Sequence, residues 1–111
     1  MADKITRLVT APIDVAVTSS TSTSGTFVLS DKAGGVLHVV AASGTLTLKF
    51  YSLPDGTAGT AFLLADAFNA DVAVTIAQGS CYQLPDELFA CARIRPVVTS
   101  GTATLRLLLK S

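Results

Sequence analysis

A chain of 111 residues suits one globular domain, and this length can bury a core without disulfides or structural metals. Eight acidic residues balance eight basic ones, so the charge gives no reason to expect nucleic acid or an anionic membrane as a partner. Charged residues make up only 14% of the chain, against about 25% in ordinary domains, and hydrophobic residues make up 50%. Two explanations stay open: Thr, Ser and Ala cover the surface, or other subunits bury part of it.

The chain divides into residues 1–12, which we predict to be an N-terminal arm or a first strand, and a single domain over 13–111. The charged start is unlike a signal peptide, and no stretch reaches the ~20 apolar residues of a membrane span. We therefore expect synthesis in a cytoplasm and no membrane partner.

Apolar and polar residues alternate with a period of two along most of the chain, which is typical of half-buried strands. Stretches rich in Gly, Pro, Ser and Asp separate these segments and predict turns. The predicted strands cover residues 4–9, 13–18, 26–30, 36–41, 45–52, 60–65, 72–77, 91–98 and 102–109. Such short, evenly spaced strands predict an all-β fold, either a sandwich or a closed barrel, of which we favour an antiparallel β-sandwich with the jelly roll among the arrangements it allows.

The tripeptide Ser-Gly-Thr occurs at Ser24-Gly25-Thr26, Ser43-Gly44-Thr45 and Ser100-Gly101-Thr102. Gly tolerates the positive φ of a tight bend, and Thr favours the strand that follows. We predict from the last two copies that the strands on either side of each bend pair within one sheet. The final pairing would place Arg95 directly across from Arg106, and two like charges in that position need an acidic partner.

Two segments differ from the strand pattern. Leu84-Pro85 followed by Asp86 and Glu87 predicts one short helical turn near 85–89, because Pro and acids suit the first turn of a helix. The segment 64–71 stays open between a strand end with a loop and a short helix.

The residues that could carry chemistry do not form a catalytic pattern. His38 shares its predicted face with Val40 and Lys49, which indicates a surface or interface histidine and not a general base. The two cysteines, Cys81 and Cys91, are predicted to be buried free thiols, with a disulfide between them as the less favoured alternative. We expect no enzyme activity and no cofactor.

Three oxygen-bearing side chains, those of Asp66, Asn69 and Asp71, could in principle hold a hard cation. They lack the Gly and the terminal Glu of a calcium-binding loop, so turn formation explains them better. We predict no metal site.

Arginines close to the chain's end are the candidate contact residues. Arg93, Arg95 and Arg106 are either solvated side chains whose stems cover strand surface, or a docking patch that pairs with acids on a neighbouring subunit. Lys4 and Arg7 of the N-terminal segment join them as candidate contacts with a neighbouring subunit or another protein partner. Nucleic acid is not expected, because no aromatic residues are interleaved with these cations.

Parts of the chain resemble small β-sandwich structural proteins encoded near tailed-phage capsid genes. Residues 36–40, 45–52 and 54–57 resemble the central hairpin and Asp-Gly-Thr turn of those proteins, and residues 82–89, 92–95, 101–105 and 110–111 resemble their C-terminal part. The likeness covers residues 36–111. It implies a head-decoration or other auxiliary virion protein that binds the major capsid protein as an oligomer, often a trimer, and it supplies no catalytic residue.

A second function from another class is a glycan- or receptor-binding module of a tail or spike. Glycan sites usually display stacking aromatic rings, and an exposed pair formed by Tyr51 and Tyr82 would favour this alternative.

Overall fold

A computed structural model describes residues 11–56 and 59–110. Two antiparallel sheets and one 3-10 turn, Asp86–Ala90, make up the regular structure of these residues. The strands are β1 (Ile13–Val17), β2 (Phe27–Val28), β3 (Gly34–Ala42), β4 (Leu46–Ser52), β5 (Phe62–Leu63), β6 (Ala73–Ile76), β7 (Cys81–Gln83), β8 (Arg93–Val98) and β9 (Ala103–Lys110). The predicted all-β sandwich and its short helical turn are confirmed, while the predicted strand 4–9 lies outside the described residues.

The order of the strands is that of a jelly roll. Sheet A has the order β1-β9-β3-β7, and sheet B has the order β2-β8-β4-β5. The short strands β5 and β6 follow one another along the same edge of β4. Apart from the run β4-β5-β6, each strand is followed in the chain by one in the opposite sheet, as in double-sheet jelly rolls. None of the helical segments among the described residues has the length and apolar character needed to span a bilayer.

The two predicted hairpins are wrong. The bend at Ser43–Gly44 leads from β3 in sheet A to β4 in sheet B, and the bend at Ser100–Gly101 leads from β8 in sheet B to β9 in sheet A. The alternation of apolar residues nevertheless indicates which face of these strands is buried, since Leu37, Val39, Leu105, Leu107 and Leu109 all lie in the core. An apolar face needs an apolar surface opposite it, and a strand of the second sheet satisfies that need as well as a hydrogen-bonded neighbour does.

The second and third Ser-Gly-Thr copies lie against each other at one end of the sandwich. Ser43 N donates to Thr102 O at 3.0 Å, and Thr102 N donates to Ser43 Oγ at 3.1 Å. Gly101 has a φ of 77°, and a Cβ at this position would overlap Ser43 Oγ. The repeated tripeptide therefore joins the two bends to each other, and only glycine fits at the contact.

The core lies between the sheets and is built from alternate residues of the long strands. Leu48 and Phe50 of β4 are in register with Val98 and Pro96 of β8, and their side chains point towards sheet A. The largest fully buried side chains are those of Leu29, Leu37, Leu48, Phe50, Leu53, Ile76, Leu84, Leu88, Ile94, Leu105, Leu107 and Leu109. Each contributes roughly 1.5–3 kcal/mol of transfer free energy, so this layer dominates the stability of the fold.

Candidate interaction surfaces

The three candidate arginines do not form one patch. Arg93 and Arg95 lie on β8 in sheet B, whereas Arg106 lies on β9 in sheet A. Arg95 is in register with Tyr51, so the predicted pairing of Arg95 with Arg106 is wrong. The reason is the sheet change at Ser100–Gly101, which separates the two strands. Lys4 and Arg7 lie outside the described residues.

Arg95 contacts a loop of its own chain, residues 18–26, which lies over the outer face of β8. Its side chain is buried, with the residue 4% exposed. Nε donates to Ser24 O at 2.9 Å and Nη1 donates to Thr21 O at 2.7 Å. Arg93 supports the same loop, because its Nη1 donates to Thr26 Oγ1 at 3.2 Å. Both side chains therefore hold the loop against sheet B.

The loop is also held from within by hydroxyl groups. The buried Ser24 Oγ accepts from Thr18 N at 2.9 Å and donates to Thr18 O at 3.0 Å. Ser20 Oγ accepts from the backbone N–H groups of Ser22 and Thr23. The Ser/Thr tract thus forms a defined loop, because its side chains satisfy backbone groups that no strand partner reaches.

A row of polar residues crosses the outer face of sheet A. The strand registers align Asp14 with Arg106, Arg106 with His38, and His38 with Cys81. Arg106 Nε and Nη2 donate to the two carboxylate oxygens of Asp14 at 2.7 and 3.1 Å. These hydrogen bonds and the charge of Arg106 hold the pKa of Asp14 below its usual value, and Asp14 raises the pKa of Arg106. His38 is exposed, as predicted, and its Nδ1 lies 3.3 Å from Arg106 O.

Both cysteines lie in the described part of the chain, and both are free thiols, as predicted. Their predicted burial is wrong: Cys81 is exposed and Cys91 is half-buried. Cys81 is exposed because β7 is an edge strand in which Tyr82, and not Cys81, points towards the core. Within residues 11–56 and 59–110, no three His, Cys, Asp or Glu side chains are grouped so that they could hold a metal ion.

Apolar side chains are exposed along the edge of sheet B that β5 forms. Phe62 is 55% exposed and Leu63 is 41% exposed, although both belong to a strand paired with β4. Because β5 lies at the end of the strand order, its other side has no strand partner among the described residues. Edge strands with exposed apolar residues are surfaces that other chains can cover.

A hairpin extends from this edge between β5 and β6, and we call residues 64–72 the arm. At its base Leu64 N donates to Phe50 O and Val72 N donates to Leu64 O, at 2.9 and 3.0 Å. An isolated bridge joins Ala65 to Asp71. The side chain of Lys49 pairs with Asp71 at 3.0 Å and fixes the returning branch to β4. The segment that the sequence left open is therefore a hairpin and not a helix.

The tip of the arm presents Phe68, which is 90% exposed, on an ordered turn. Asp66 Oδ1 accepts from Phe68 N at 2.8 Å and from Ala70 N at 3.0 Å. Asn69 N donates to Asp66 O at 3.0 Å, and Asn69 itself has a φ of 63°, a conformation that Asn tolerates better than most residues. A turn of this kind followed by a left-handed residue is a common three-residue hairpin loop.

A notch lies on the outer face of sheet A, beside the 3-10 turn, and has a volume of about 380 Å³. Its walls combine apolar and polar surface and come from Ala33, Gly34, Gly35, Val36, Gln83, Leu84, Phe89 and Leu108. The exposed residues Asp86 and Lys110 lie at its rim. A side chain added at Gly34 would meet no atom within 4 Å, so the space above this glycine is open.

The fold has a neighbour among solved structures. No family model matches it, and no curated protein matches it. Its fold is similar to the crystal structure of the SPBc2 prophage-derived protein YomS, at 12% sequence identity and a TM-score of 0.49. The likeness covers 94% of this chain and 98% of that chain.

Proposed function

We propose that this chain is a structural protein of a phage particle that decorates or cements the head shell. Its partners are further copies of itself, with a trimer favoured, and the major capsid protein. It resides in the virion after synthesis in the host cytoplasm, and it acts by surface contact, without catalysis or a cofactor. Many symmetric copies on one shell would add avidity to weak single contacts.

The observation that carries the proposal is the apolar edge of sheet B. Phe62, Leu63 and Phe68 are exposed there on backbone that is hydrogen-bonded and ordered. Covering ordered apolar side chains with a partner lowers the free energy, and these side chains lose little conformational freedom when they are covered. The low share of charged residues, 14%, leaves the surface suited to contact with other proteins. The resemblance of residues 36–111 to head-decoration proteins gives the class of partner.

The test is co-assembly with the major capsid protein encoded in the same genome. Both proteins are produced together, and assembled shells are separated from free protein on a density gradient. We expect this protein to sediment with the shells at a fixed ratio to the capsid protein. If intact shells form and the protein stays in the fractions of free protein, the proposal is wrong.

The N-terminal segment is one of the predicted shell contacts, beside the arginines of β8 and β9. A Lys4→Glu, Arg7→Glu double variant should sediment with shells less than the parent does, and more salt should weaken the parent in the same way. Asp31→Lys and Asp55→Lys together, a net-charge change of the same size and of opposite sign elsewhere on the surface, serve as the control. Equal sedimentation of both variants would remove Lys4 and Arg7 from the proposed contact.

The glycan-binding alternative depends on exposed tyrosines, and the two tyrosines lie apart. Tyr51 is on the outer face of sheet B, in a shallow hollow lined by the hydroxyl groups of Ser19, Thr21 and Thr99. Tyr82 is on sheet A and packs against the core. Binding to a glycan array that is lost in Tyr51→Ala, together with no binding to shells, would replace the proposal by this alternative.

A further inference from the structure

The arm is built to present Phe68 in a fixed position. Two hydrogen bonds to Asp66 Oδ1 fix the tip, and the pair between Lys49 and Asp71 fixes the base. The residues beside Phe68 are small or uncharged, with Ala67 and Ala70 exposed around it. A preformed turn of this kind can place an aromatic side chain in a pocket without the entropy cost of ordering a loop.

The notch has the shape and chemistry of a receptor for such a side chain. Apolar groups form about half of its lining, and the half-buried ring of Phe89 is one of them, so an inserted phenyl ring could pack against it edge to face. The space above Gly34 is open because this residue has no side chain. The notch lies on sheet A and the arm on sheet B, so the arm of a molecule reaches the notch of another copy and not its own.

Charge at the two surfaces is complementary. Asp66, two residues before Phe68, has no ion-pair partner within the described residues, and the same holds for Lys110 at the notch rim. Asp86, also at the rim, could accept from the side-chain amide of Asn69. A neighbouring copy would therefore bring its Asp66 carboxylate towards Lys110. The same copy would bring the side-chain amide of Asn69 towards Asp86.

We propose that Phe68 of one copy inserts into the notch of the next copy, with Asp66 facing Lys110. The inference rests on the proposed function in that both require a homo-oligomer, and it names the residues that form it. Because arm and notch are different surfaces, the contact is head-to-tail. Such contacts close when the rotation between copies allows it: a two-fold rotation would close a dimer with reciprocal insertion, and a three-fold rotation would close the favoured trimer.

The test uses two variants of the full chain, each of which removes one half of the contact. Phe68→Ala removes the inserted side chain, and Gly34→Trp fills the notch. Both positions lie outside the core, and urea unfolding of each variant checks that the fold is kept. Sedimentation velocity should show the parent as an oligomer and each variant alone with self-association weakened by about 30-fold or more, as for the loss of a central aromatic contact.

Mixing the two variants gives the decisive measurement. Phe68→Ala keeps an intact notch and Gly34→Trp keeps an intact arm, so an equimolar mixture should form 1:1 dimers but no larger ring. A parent that is monomeric at 100 µM, a Phe68→Ala variant as oligomeric as the parent, or a mixture that stays monomeric overturns the inference. Binding to shells is measured separately by co-sedimentation. If the parent binds shells and the Phe68→Ala variant self-associates as strongly as the parent, this inference is wrong and the proposed function still stands.

Discussion

Arg95 and Arg106 both lie on strands, but their surroundings lead us to expect different contributions to the free energy of unfolding. Arg95 is buried and donates to two loop carbonyl groups, whereas Arg106 is exposed and pairs with Asp14. Replacing Arg95 by Met keeps the stem and leaves those carbonyl groups without a donor. We expect Arg95→Met to lower the free energy of unfolding by about 2–4 kcal/mol, because hydrogen bonds from charged groups contribute most when buried.

Arg106→Met is the matched control for this prediction. It removes the same guanidinium group from an exposed position, where water and salt screen the pair, so its effect on unfolding should be far smaller. Urea denaturation of the two variants and the parent measures the difference. Equal destabilisation by the two variants would contradict the assigned role of Arg95 in holding the loop.

The pairing of Asp14 with Arg106 should be detectable when the Asp14 carboxyl group is titrated with acid. Its pKa is lowered in the folded state, so the carboxylate stabilises the fold above the ordinary value of 3.8 and loses this contribution as the pH falls through the folded pKa. An NMR titration of the Asp14 carboxyl carbon should therefore give a midpoint below 3.8, and Arg106→Gln should move it back towards 3.8. Arg93→Gln, on the other sheet, should leave the midpoint unchanged. A midpoint that stays the same in Arg106→Gln would show that the pairing with Arg106 is not the cause of the lowered pKa of Asp14.

The arm shows how one carboxylate can organise an element. Asp66→Ala removes the acceptor of the Phe68 and Ala70 N–H groups, and we expect hydrogen exchange at these two amides to rise about 10-fold or more. The urea midpoint of the whole protein should change little, because the tip of the arm lies outside the core. Asp66→Asn keeps an acceptor oxygen and should show a smaller rise. Unchanged exchange in Asp66→Ala would mean that the backbone alone holds the turn.

Elements with a long alternating pattern were predictable from the sequence, and those without one were not. The positions of β3, β4, β8 and β9 follow from their apolar alternation, because one face of each must be buried. β7 has three residues, which are too few to show an alternating pattern. The arm was left open because its turn depends on the Asp66 carboxylate and the left-handed Asn69, and because an apolar residue such as Phe68 suggests burial.

At the scale of the molecule, alternation predicted two packed layers but not the path of the chain between them. Each strand signals which of its faces is apolar, and it does not signal which strand lies beside it. A bend such as Ser100–Gly101 serves equally well to return a chain in one sheet or to carry it to the next. The candidate arginine patch failed as a cluster for the same reason, since Arg95 and Arg106 became neighbours only through an assumed hairpin.

The alternation of consecutive strands between the sheets predicts that the two sheets unfold together. The chain has no Trp and two Tyr, with Tyr51 in sheet B and Tyr82 in sheet A. Tyr51→Phe therefore leaves a fluorophore that reports on sheet A, and Tyr82→Phe leaves one that reports on sheet B. Neither sheet can detach without breaking the bends at Ser43 and Ser100, which are hydrogen-bonded to each other through Thr102.

For each variant, at one fixed protein concentration, the tyrosine fluorescence and the far-ultraviolet circular dichroism should give the same urea midpoint and a single transition. Because the two substitutions need not change the stability equally, the comparison is made between probes within each variant. A fluorescence transition that precedes the dichroism transition in one variant only would show that its sheet opens alone. The bends would then be tethers between two separately stable layers, and the shared core would hold them together less tightly than the buried leucines of both sheets indicate.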